Sequence, residues 1–231
     1  DLAEGIHNLT VIPSRYLQTP DGKQGATGEY FNNRDMKGEP LFTRVDDNID
    51  FYWEHLSPRA DMPDDDFGIK WTTYLVAPET GTFYLGSWGS SAYEILVNGE
   101  KFISYRGEHH AFHVEKALDM KEGEKYKIEV LYKNYAGDAD MKLLWSRPRK
   151  GLIEKAVAAA SQADAVVLVL GLSQRLEGEE MSIKIDGFSG GDRTSLDLPA
   201  VQEQLLDAIE ATFVHPLFIG ARSAGRTLRR A

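Results

Sequence analysis

The sequence predicts a multidomain fold in which an all-β antiparallel sandwich precedes an α/β segment. Residues 28 to 148 contain short alternating apolar runs, with turn residues at intervals of about ten, as in sandwich sheets. A continuous apolar run follows at residues 165 to 170, and stretches with helical spacing lie on both sides of it. Because the two patterns differ in period, we expect at least two structural parts.

The composition narrows the classes of function. With 42% hydrophobic residues, the chain of 231 residues can build real cores, which excludes a disordered or fibrous protein. Its 26 Lys and Arg against 36 Asp and Glu give a net charge of −10, which argues against nucleic acid or an anionic membrane as the main partner. The absence of cysteine excludes disulfides, thiolate metal sites and a cysteine nucleophile.

No segment has the marks of a membrane span or a signal peptide. Every apolar run is shorter than the ~20 residues that a spanning helix needs, and the chain opens on Asp1-Leu2-Ala3-Glu4 without a basic and then apolar segment. Exported proteins can also lack cysteine, so the sequence leaves a periplasmic or secreted location open and fixes no compartment.

Residues 1 to 25 are predicted to be an extended piece without a core of its own. Leu9-Thr10-Val11-Ile12 has strand character, and Pro13, Pro20 and Asp21-Gly22 then mark a linker or turn. So short a segment must pack on another part of the protein.

The sandwich strands are predicted from two-residue periodicity. Apolar side chains recur at alternate positions in residues 67–75, 126–132 and 141–145, which places one face of each strand inward. Asn98-Gly99 separates two apolar runs and tolerates the positive φ angles of a tight hairpin turn. We therefore expect a hairpin at that pair. By default, Trp53, Trp71 and Trp145 belong to the core because they sit in these strand patterns.

After Pro148 the period becomes that of an α/β segment. Ile153, Val157 and Ala160 share one helical face, and a second helix is expected after Pro199, with Val201, Leu205 and Ile209 as its apolar stripe. Residues 165 to 170 lack polar alternation, which predicts a strand buried on both faces as in a parallel sheet. Residues 214 to 219 are a candidate for the next strand.

The connection from Leu172 to Leu198 is far longer than the ~2 to 6 residues usual between a strand and a helix. It follows the carboxyl end of the predicted parallel strand, the edge at which open α/β sheets place their ligands. Its charged residues can serve acid/base chemistry; they are Arg175, Glu177, Glu179, Glu180, Asp186, Asp192 and Arg193.

Glycoside hydrolysis is one chemistry that such a loop can serve. A carboxylic acid kept neutral by its surroundings can protonate a departing glycosidic oxygen, and a retaining enzyme sets it ~5 Å from a carboxylate nucleophile. One loop cannot easily supply both groups. A solvated surface charge is the more common role for any single glutamate here.

The loop and its flanks resemble glycoside hydrolase family three, of the β-glucosidase type. The residues that carry the resemblance are Ala165 to Ser173, Leu176-Glu177-Gly178-Glu179-Glu180 and Gly190 to Pro199. They are similar to that family's α/β sandwich domain around its acid/base loop. The resemblance implies that Glu177 is the general acid/base, with Glu179 as the alternative, and that Asp192 and Arg193 form an ion pair that braces the loop.

Residues 26 to 148 resemble the protective-antigen-like, or PA-fourteen, sandwich that some members of the hydrolase family carry as an insertion. The matching segments are Gly28 to Asn33, Ile49-Asp50-Phe51, Phe67 to Trp71, Gly81 to Leu85 and Val97-Asn98-Gly99. The resemblance implies a sandwich inserted into a partial α/β sandwich domain made of residues 1–25 and 149–231.

Two departures qualify what the resemblance implies. Many sandwiches of this type bind calcium and sugar through an Asp-Asp pair, whereas the corresponding stretch here is Ser90-Ser91, so we expect no calcium-dependent binding. The nucleophile of the hydrolase family is an aspartate on a separate barrel domain, and no part of this sequence resembles that barrel. We therefore expect no complete hydrolytic activity from this chain alone.

Two other groups of residues can be interpreted either as metal ligands or as ordinary surface residues. His109 and His113 would share a helix face as metal ligands, but their surroundings are β, and a surface loop is favoured. Asp64-Asp65-Asp66 lacks the alternating spacing of a calcium loop and is expected to be a solvated turn. Neither set is predicted to bind a metal, and no cofactor is predicted.

Trp88 is the predicted substrate-binding residue. It lies in the sequence Gly86-Ser87-Trp88-Gly89-Ser90, interpreted as a turn, from which an exposed ring could stack on a sugar. Packing in a core or between domains is the more common role for such a residue.

Three functional hypotheses follow. The first is part of a retaining β-glucosidase-like exo-hydrolase, acting on a β-glucoside or oligosaccharide together with the missing catalytic barrel. The second is a carbohydrate-binding module without catalysis of its own, and the third is a purely structural part. A homo-oligomer is compatible with each of them.

Overall fold

The computed structural model describes residues 7–107, 111–148, 151–172, 184–185, 187–189 and 192–212. The chain divides into two compact units, one formed by Leu9–Pro148 and the other by Asp1–Asn8 with Arg149–Ala231. Each unit is described separately below. No helix in the described part of the chain is long and apolar enough to cross a membrane.

The Leu9–Pro148 unit is an antiparallel β-sandwich, as predicted. A 3-10 helix at Ser14–Tyr16 follows its first strand. The strands, numbered in chain order, are β1 Thr10–Val11, β2 Leu17–Gln18, β3 Ala26–Phe31, β4 Phe42–Asp46, β5 Asp50–Tyr52, β6 Gly68–Val76, β7 Gly81–Gly89, β8 Ala92–Val97, β9 Glu100–Arg106, β10 Phe112–Met120, β11 Lys125–Lys133 and β12 Asp140–Ser146.

Two sheets build the sandwich. The five-stranded sheet has the order β1-β12-β7-β10, with β5 paired beside β1 on the same edge of β12. The seven-stranded sheet has the order β4-β3-β6-β11-β8-β9, with β2 paired to the end of β6. All of these pairs are antiparallel.

The first 25 residues belong to the sandwich to a larger extent than predicted. Thr10 and Val11 of β1 pair with Trp145 and Leu144 of β12, and Leu17 of β2 pairs with Leu75 of β6. Residues 9 to 25, expected with the α/β segment, therefore lie in the sandwich unit. A two-residue strand has no stability of its own, and the open edges of β12 and β6 supply its hydrogen-bonding partners.

The two inner sheet faces form one core. In β6 the side chains of Ile69, Trp71 and Leu75 are buried. Ile128, Val130 and Tyr132 of the neighbouring strand β11 are buried beside them on the same face of the sheet. This is the inward face that two-residue periodicity predicts. The hairpin prediction is also confirmed: β8 and β9 are joined by Asn98 (φ 53°) and Gly99 (φ 85°), both in the left-handed region that a type I′ turn requires.

A buried polar network ties β3, β4 and β6 together. The Asp46 carboxylate accepts hydrogen bonds from Tyr30 Oη (2.7 Å), Trp71 Nε1 (2.7 Å) and Arg44 Nε (2.6 Å). The Arg44 guanidinium also lies over the Tyr30 ring, 4.6 Å from its centroid. Because donors from β3, β4 and β6 all bind the buried carboxylate, the network holds these three strands together and does not weaken the core.

The second unit contains two helices and a small sheet among its described residues. The helices are α1 Leu152–Ala160 and α2 Ala200–Glu210, and the sheet is formed by β13 Lys184–Ile185, β14 Phe188–Ser189 and β15 Asp192–Arg193. Both helices are those predicted from the apolar stripes. α2 begins directly after Pro199, whose fixed φ suits the residue that precedes a helix. The predicted strand at residues 214–219 lies outside the described residues.

The prediction of a buried strand at residues 165 to 170 is wrong for this chain. These residues form no strand, and the side chains of Val167 and Val169 are 86% and 92% exposed. A strand of a parallel sheet needs hydrogen-bonded neighbours and two covered faces, whereas this run pairs with no described strand and its side chains alternate between exposed and half-buried. Just past the end of the run, the side-chain amide of Gln202 exchanges two 2.8 Å hydrogen bonds with the backbone of Gly171.

Candidate functional site

The predicted acid/base residue Glu177 lies outside the described residues, as do Arg175, Glu179, Glu180 and Asp186. The described part of their loop is the small sheet β13 to β15 and the turn that leads to α2. Within it, Phe188 is buried and the backbone N–H of Thr194 donates to the carbonyl oxygen of Gly187 (2.8 Å). The role of Glu177 therefore stays a prediction.

The predicted ion pair between Asp192 and Arg193 is not formed. The two residues are neighbours in β15, where successive side chains point to opposite faces of the strand. The Arg193 guanidinium instead donates to the backbone carbonyl oxygens of Ser195 (3.1 Å) and Asp197 (3.5 Å). Arg193 thus holds the turn before α2 through main-chain contacts.

Trp88 lies in a strand and not in the predicted turn. Residues Gly86 to Gly89 are the last four of β7, and the chain turns only at Ser90-Ser91, where Ser91 has a φ of 58°. The indole Nε1 donates a 2.7 Å hydrogen bond to Asp140 Oδ2, and the residue is 36% exposed. Because the polar atom of the indole is occupied, the exposed part of Trp88 is apolar ring surface.

The register of the five-stranded sheet gathers further side chains around Trp88. Lys142 lies directly opposite it on β12, and His113 lies opposite it on β10. Tyr52 of β5, 56% exposed, is the partner of Asp140, two positions from Lys142. Residues that are paired, or two apart, on neighbouring strands share a face. Trp88, Tyr52, Asp140 and Lys142 together form what we call the Trp88 face, on the outer side of this sheet.

The charges on the Trp88 face are arranged around one buried carboxylate. Asp140 is almost fully buried, and its burial raises its pKa above the ordinary value, an effect that the hydrogen bond from Trp88 and the nearby ammonium of Lys142 oppose. Lys142 Nζ forms an ion pair with Asp50 Oδ1 at 3.2 Å. Oδ1 of Asp140 is buried and has no hydrogen-bond partner among the described residues. A buried acceptor of this kind is costly, because it has lost its hydrogen bonds to water.

The serine pair next to the Trp88 face is satisfied by the protein itself. Ser90 Oγ donates to the Asp138 carbonyl oxygen (2.8 Å) and accepts from the Asp140 N–H (3.1 Å), and Ser91 Oγ accepts from the Tyr135 N–H (3.4 Å). Both serine hydroxyls are thus hydrogen-bonded to backbone groups, at the position where the resemblance would place an Asp-Asp pair. Among the residues that the structure describes, no group of three or more His, Cys, Asp or Glu side chains is arranged to hold a metal ion.

The two other groups that were weighed as metal ligands are the histidines around His113 and the run from Asp64 to Asp66. His109 lies outside the described residues, and His113 lies on β10 with its Nε2 2.9 Å from Glu115 Oε2. Asp64, Asp65 and Asp66 are exposed, as expected for a solvated turn.

Sequence reasoning identified Trp88 but missed Asp140, Tyr52 and Lys142. The alternation of Asp140, Lys142 and Leu144 with buried neighbours was a signal that these residues share an outer face. No signal in the sequence could place that face beside Trp88, because the contact depends on the register between strands that are 52 residues apart.

Comparison with known proteins decides the family. The model of the PA14 domain matches residues 22–157, which is more than half of the chain and includes most of the sandwich. The chain belongs to the PA14 domain family. The Trp88 face is therefore a feature of a PA14 domain.

The relatives of this PA14 protein include glycoside hydrolases. A xylan 1,4-beta-xylosidase from Xylanibacter ruminicola is 30% identical over 216 residues, covering 91% of this chain and 25% of that protein. The anti-sigma-I factor RsgI3 from Acetivibrio thermocellus is 27% identical over 147 residues, 61% of this chain and 23% of that protein. The chain thus spans about a quarter of the length of these relatives.

A solved structure supports the fold over most of the chain. The crystal structure of a beta-glucosidase from Kluyveromyces marxianus superposes with a TM-score of 0.63 at 18% identity, covering 89% of this chain and 26% of that one. At this identity the similarity shows the fold alone. Together with the xylosidase match, it confirms the predicted resemblance to a part of a glycoside hydrolase that carries a PA14 domain.

Proposed function

We propose that this chain is the PA14-bearing part of a retaining exo-acting β-glycoside hydrolase, and that Glu177 is its general acid/base. The observation that supports the proposal is the 30% identity to the Xylanibacter ruminicola xylosidase over 91% of the chain. That coverage extends beyond the sandwich into the segment that contains the loop from Leu172 to Leu198.

Glu177 has two tasks in this mechanism. As an acid it donates a proton to the departing glycosidic oxygen while a carboxylate nucleophile attacks the sugar from the opposite face. As a base it then takes a proton from the water that hydrolyses the glycosyl-enzyme. The nucleophile belongs to a barrel domain that this chain does not contain, so the chain acts only together with that polypeptide. A β-xyloside and a β-glucoside are the first substrates to compare, because the relatives are named for both.

The test uses the chain joined to a family-three barrel, with Glu177→Gln and Glu179→Gln as a matched pair. On an alkyl glycoside, whose leaving group needs protonation, Glu177→Gln is expected to lower the rate about 10² to 10⁴-fold. With a nitrophenyl leaving group the loss is smaller, and added azide restores turnover of the glycosyl-enzyme. Unchanged hydrolysis of the alkyl glycoside by Glu177→Gln would remove the residue from the role, and an effect of Glu179→Gln alone would move the role to Glu179.

A second function is favoured by the Trp88 face, namely sugar binding by the PA14 domain. Trp88 offers apolar ring surface that is fixed in place by its bond to Asp140, and the exposed Tyr52 lies on the same face. The C–H face of a sugar ring packs against such aromatic surface while hydroxyls bond to neighbouring charged groups, here those of Lys142 and Asp50.

Titration with xylobiose and cellobiose, followed by tryptophan fluorescence and calorimetry, tests this function. We expect a Kd in the range of about 1 to 10 mM, and a loss of about tenfold or more in Trp88→Ala. Leu56→Ala is the control, because Leu56 is another exposed apolar side chain of the same domain. Equal binding by the parent chain and Trp88→Ala would contradict a sugar site at this face.

A further inference from the structure

A concave site lies on the outer face of the seven-stranded sheet, and none of its lining residues belongs to the Trp88 face. It is a groove of about 380 Å³ between β3, β6, β11 and β8. Its apolar lining consists of Phe31, Met36, Leu96 and Leu131. The volume falls at the lower end of the range for small-molecule sites, about 300 to 1,000 Å³.

The polar lining of the groove consists of Glu29, Lys70 and Glu129. Glu29 and Lys70 are opposite each other in the register of β3 and β6, with Lys70 Nζ 3.5 Å from Glu29 Oε2. Glu129 on β11 forms an ion pair with Lys127 at 3.1 Å. The groove therefore presents two carboxylates and an ammonium between apolar side chains.

The charges of this groove are balanced. Each carboxylate has a lysine partner, so neither an anion nor a cation gains an unpaired counter-charge on entering. A purely apolar ligand would strip water from three charged side chains without replacing its hydrogen bonds. A neutral ligand with hydroxyl groups on its edge and C–H groups on its face satisfies both halves of the lining.

We propose that this groove binds one end of a neutral saccharide, with its hydroxyl edge on Glu29, Lys70 and Glu129 and its C–H face on Leu96 and Leu131. The site is on the outer face of the sheet opposite to the one that carries Trp88, so the PA14 domain would hold sugar at two independent places. This inference goes beyond the proposed function, because neither Glu177 nor the Trp88 face takes part in it.

The experiment follows backbone amide signals of the full chain carrying Trp88→Ala during titration with xylobiose or cellobiose. The expected result is saturable shifts of the amides in β3, β6, β8 and β11 that line the groove, with a Kd in the range of about 1 to 10 mM. Lys70→Met in the same background is expected to weaken binding about tenfold, because it removes a charged hydrogen-bond donor. Lys125→Met is the matched control, since Lys125 is a lysine of the same sheet outside the groove.

The possible results of this titration either support the groove site or overturn it. The groove site is supported if sugar shifts the groove amides and if Lys70→Met weakens this binding while Lys125→Met preserves it. This support does not depend on whether the Trp88 face binds sugar. The proposal is overturned if the groove amides do not move at sugar concentrations well above the expected Kd, or if both lysine variants bind equally well. Unchanged amide spectra of the variants without sugar verify that they fold.

Discussion

The indole of Trp88 and the carboxylate of Asp140 are joined by a 2.7 Å hydrogen bond between β7 and β12. This bond orients the ring on the outer sheet face and is the one hydrogen bond that the side chain of Asp140 makes to another described residue. Stability, and the sugar binding proposed for the Trp88 face, are therefore expected to depend on the same pair.

Trp88→Phe keeps an aromatic ring but removes the N–H donor. Asp140 then has two buried or partly buried oxygens without a partner, so we expect a loss of about 1.5 to 3 kcal/mol in the free energy of unfolding. Urea denaturation measures this. Trp53→Phe is the control, because Trp53 is also partly buried and its indole makes no hydrogen bond to a described residue. Equal losses in the two variants would show that ring size, and not the hydrogen bond, decides the effect.

Asp140 also makes a prediction for the pH dependence of stability. Its burial raises its pKa in the folded state above the ordinary value of 3.8, so the unfolded chain releases this proton at lower pH than the folded chain does. The contribution of Asp140 is then most favourable in acid and is lost as the pH rises from about 3.8 through the folded pKa.

Asp140→Asn removes this titration. The unfolding free energies of the parent and of Asp140→Asn are measured by urea denaturation at a series of pH values. As the pH rises, the parent is expected to lose stability relative to Asp140→Asn. A difference that shifts in favour of the parent over this interval would mean that the folded pKa is lowered.

Three buried tyrosines predict a loss of stability in alkali. Burial is the main cause that raises the pKa of Tyr93 and of Tyr132 to about 12 and raises the pKa of Tyr30 further still. Above the ordinary pKa of 10.0 the unfolded chain ionises these phenols and the folded chain does not. Together they are expected to lower the unfolding free energy by about 3 kcal/mol per pH unit on average between about pH 10 and 12.

Tyr93→Phe isolates one of these contributions. Between about pH 10 and 12, the slope of unfolding free energy against pH is expected to decrease in this variant by about 1 kcal/mol per pH unit. An unchanged slope would show that Tyr93 ionises equally in both states.

The exposed Val167, in the run at residues 165 to 170, gives a further prediction. Val167→Thr is expected to change the unfolding free energy by no more than about 0.5 kcal/mol, because Val167 is exposed. Val130→Thr places a hydroxyl in the centre of the sandwich core and is expected to cost about 1 to 3 kcal/mol. Similar costs for the two substitutions would indicate that Val167 is buried after all.

Local patterns were sufficient for much of the sandwich. The alternation of Ile69, Trp71 and Leu75 predicted the inward face of β6, because a strand directs successive side chains to opposite sides. Asn98-Gly99 predicted the hairpin, since few other pairs tolerate two positive φ angles. Pro199 and the stripe behind it predicted α2. The assignment of Glu177 rests on resemblance and stays a prediction.

By itself, then, the sequence determined the inward faces of β6, β11 and β12, the hairpin at Asn98-Gly99 and the helices α1 and α2, because these features depend on neighbours a few residues away. Only the tertiary structure decided that Trp88 meets Asp140, that Asp46 lies beneath Tyr30 and Trp71, and that Glu29, Lys70 and Glu129 share a groove. Each of these contacts depends on strand register and sheet order, which are set by the packing of the whole core. The apolar run at residues 165 to 170 shows the converse: its pattern is apolar, but no strand in the described part of the chain pairs with it, and it forms no strand there.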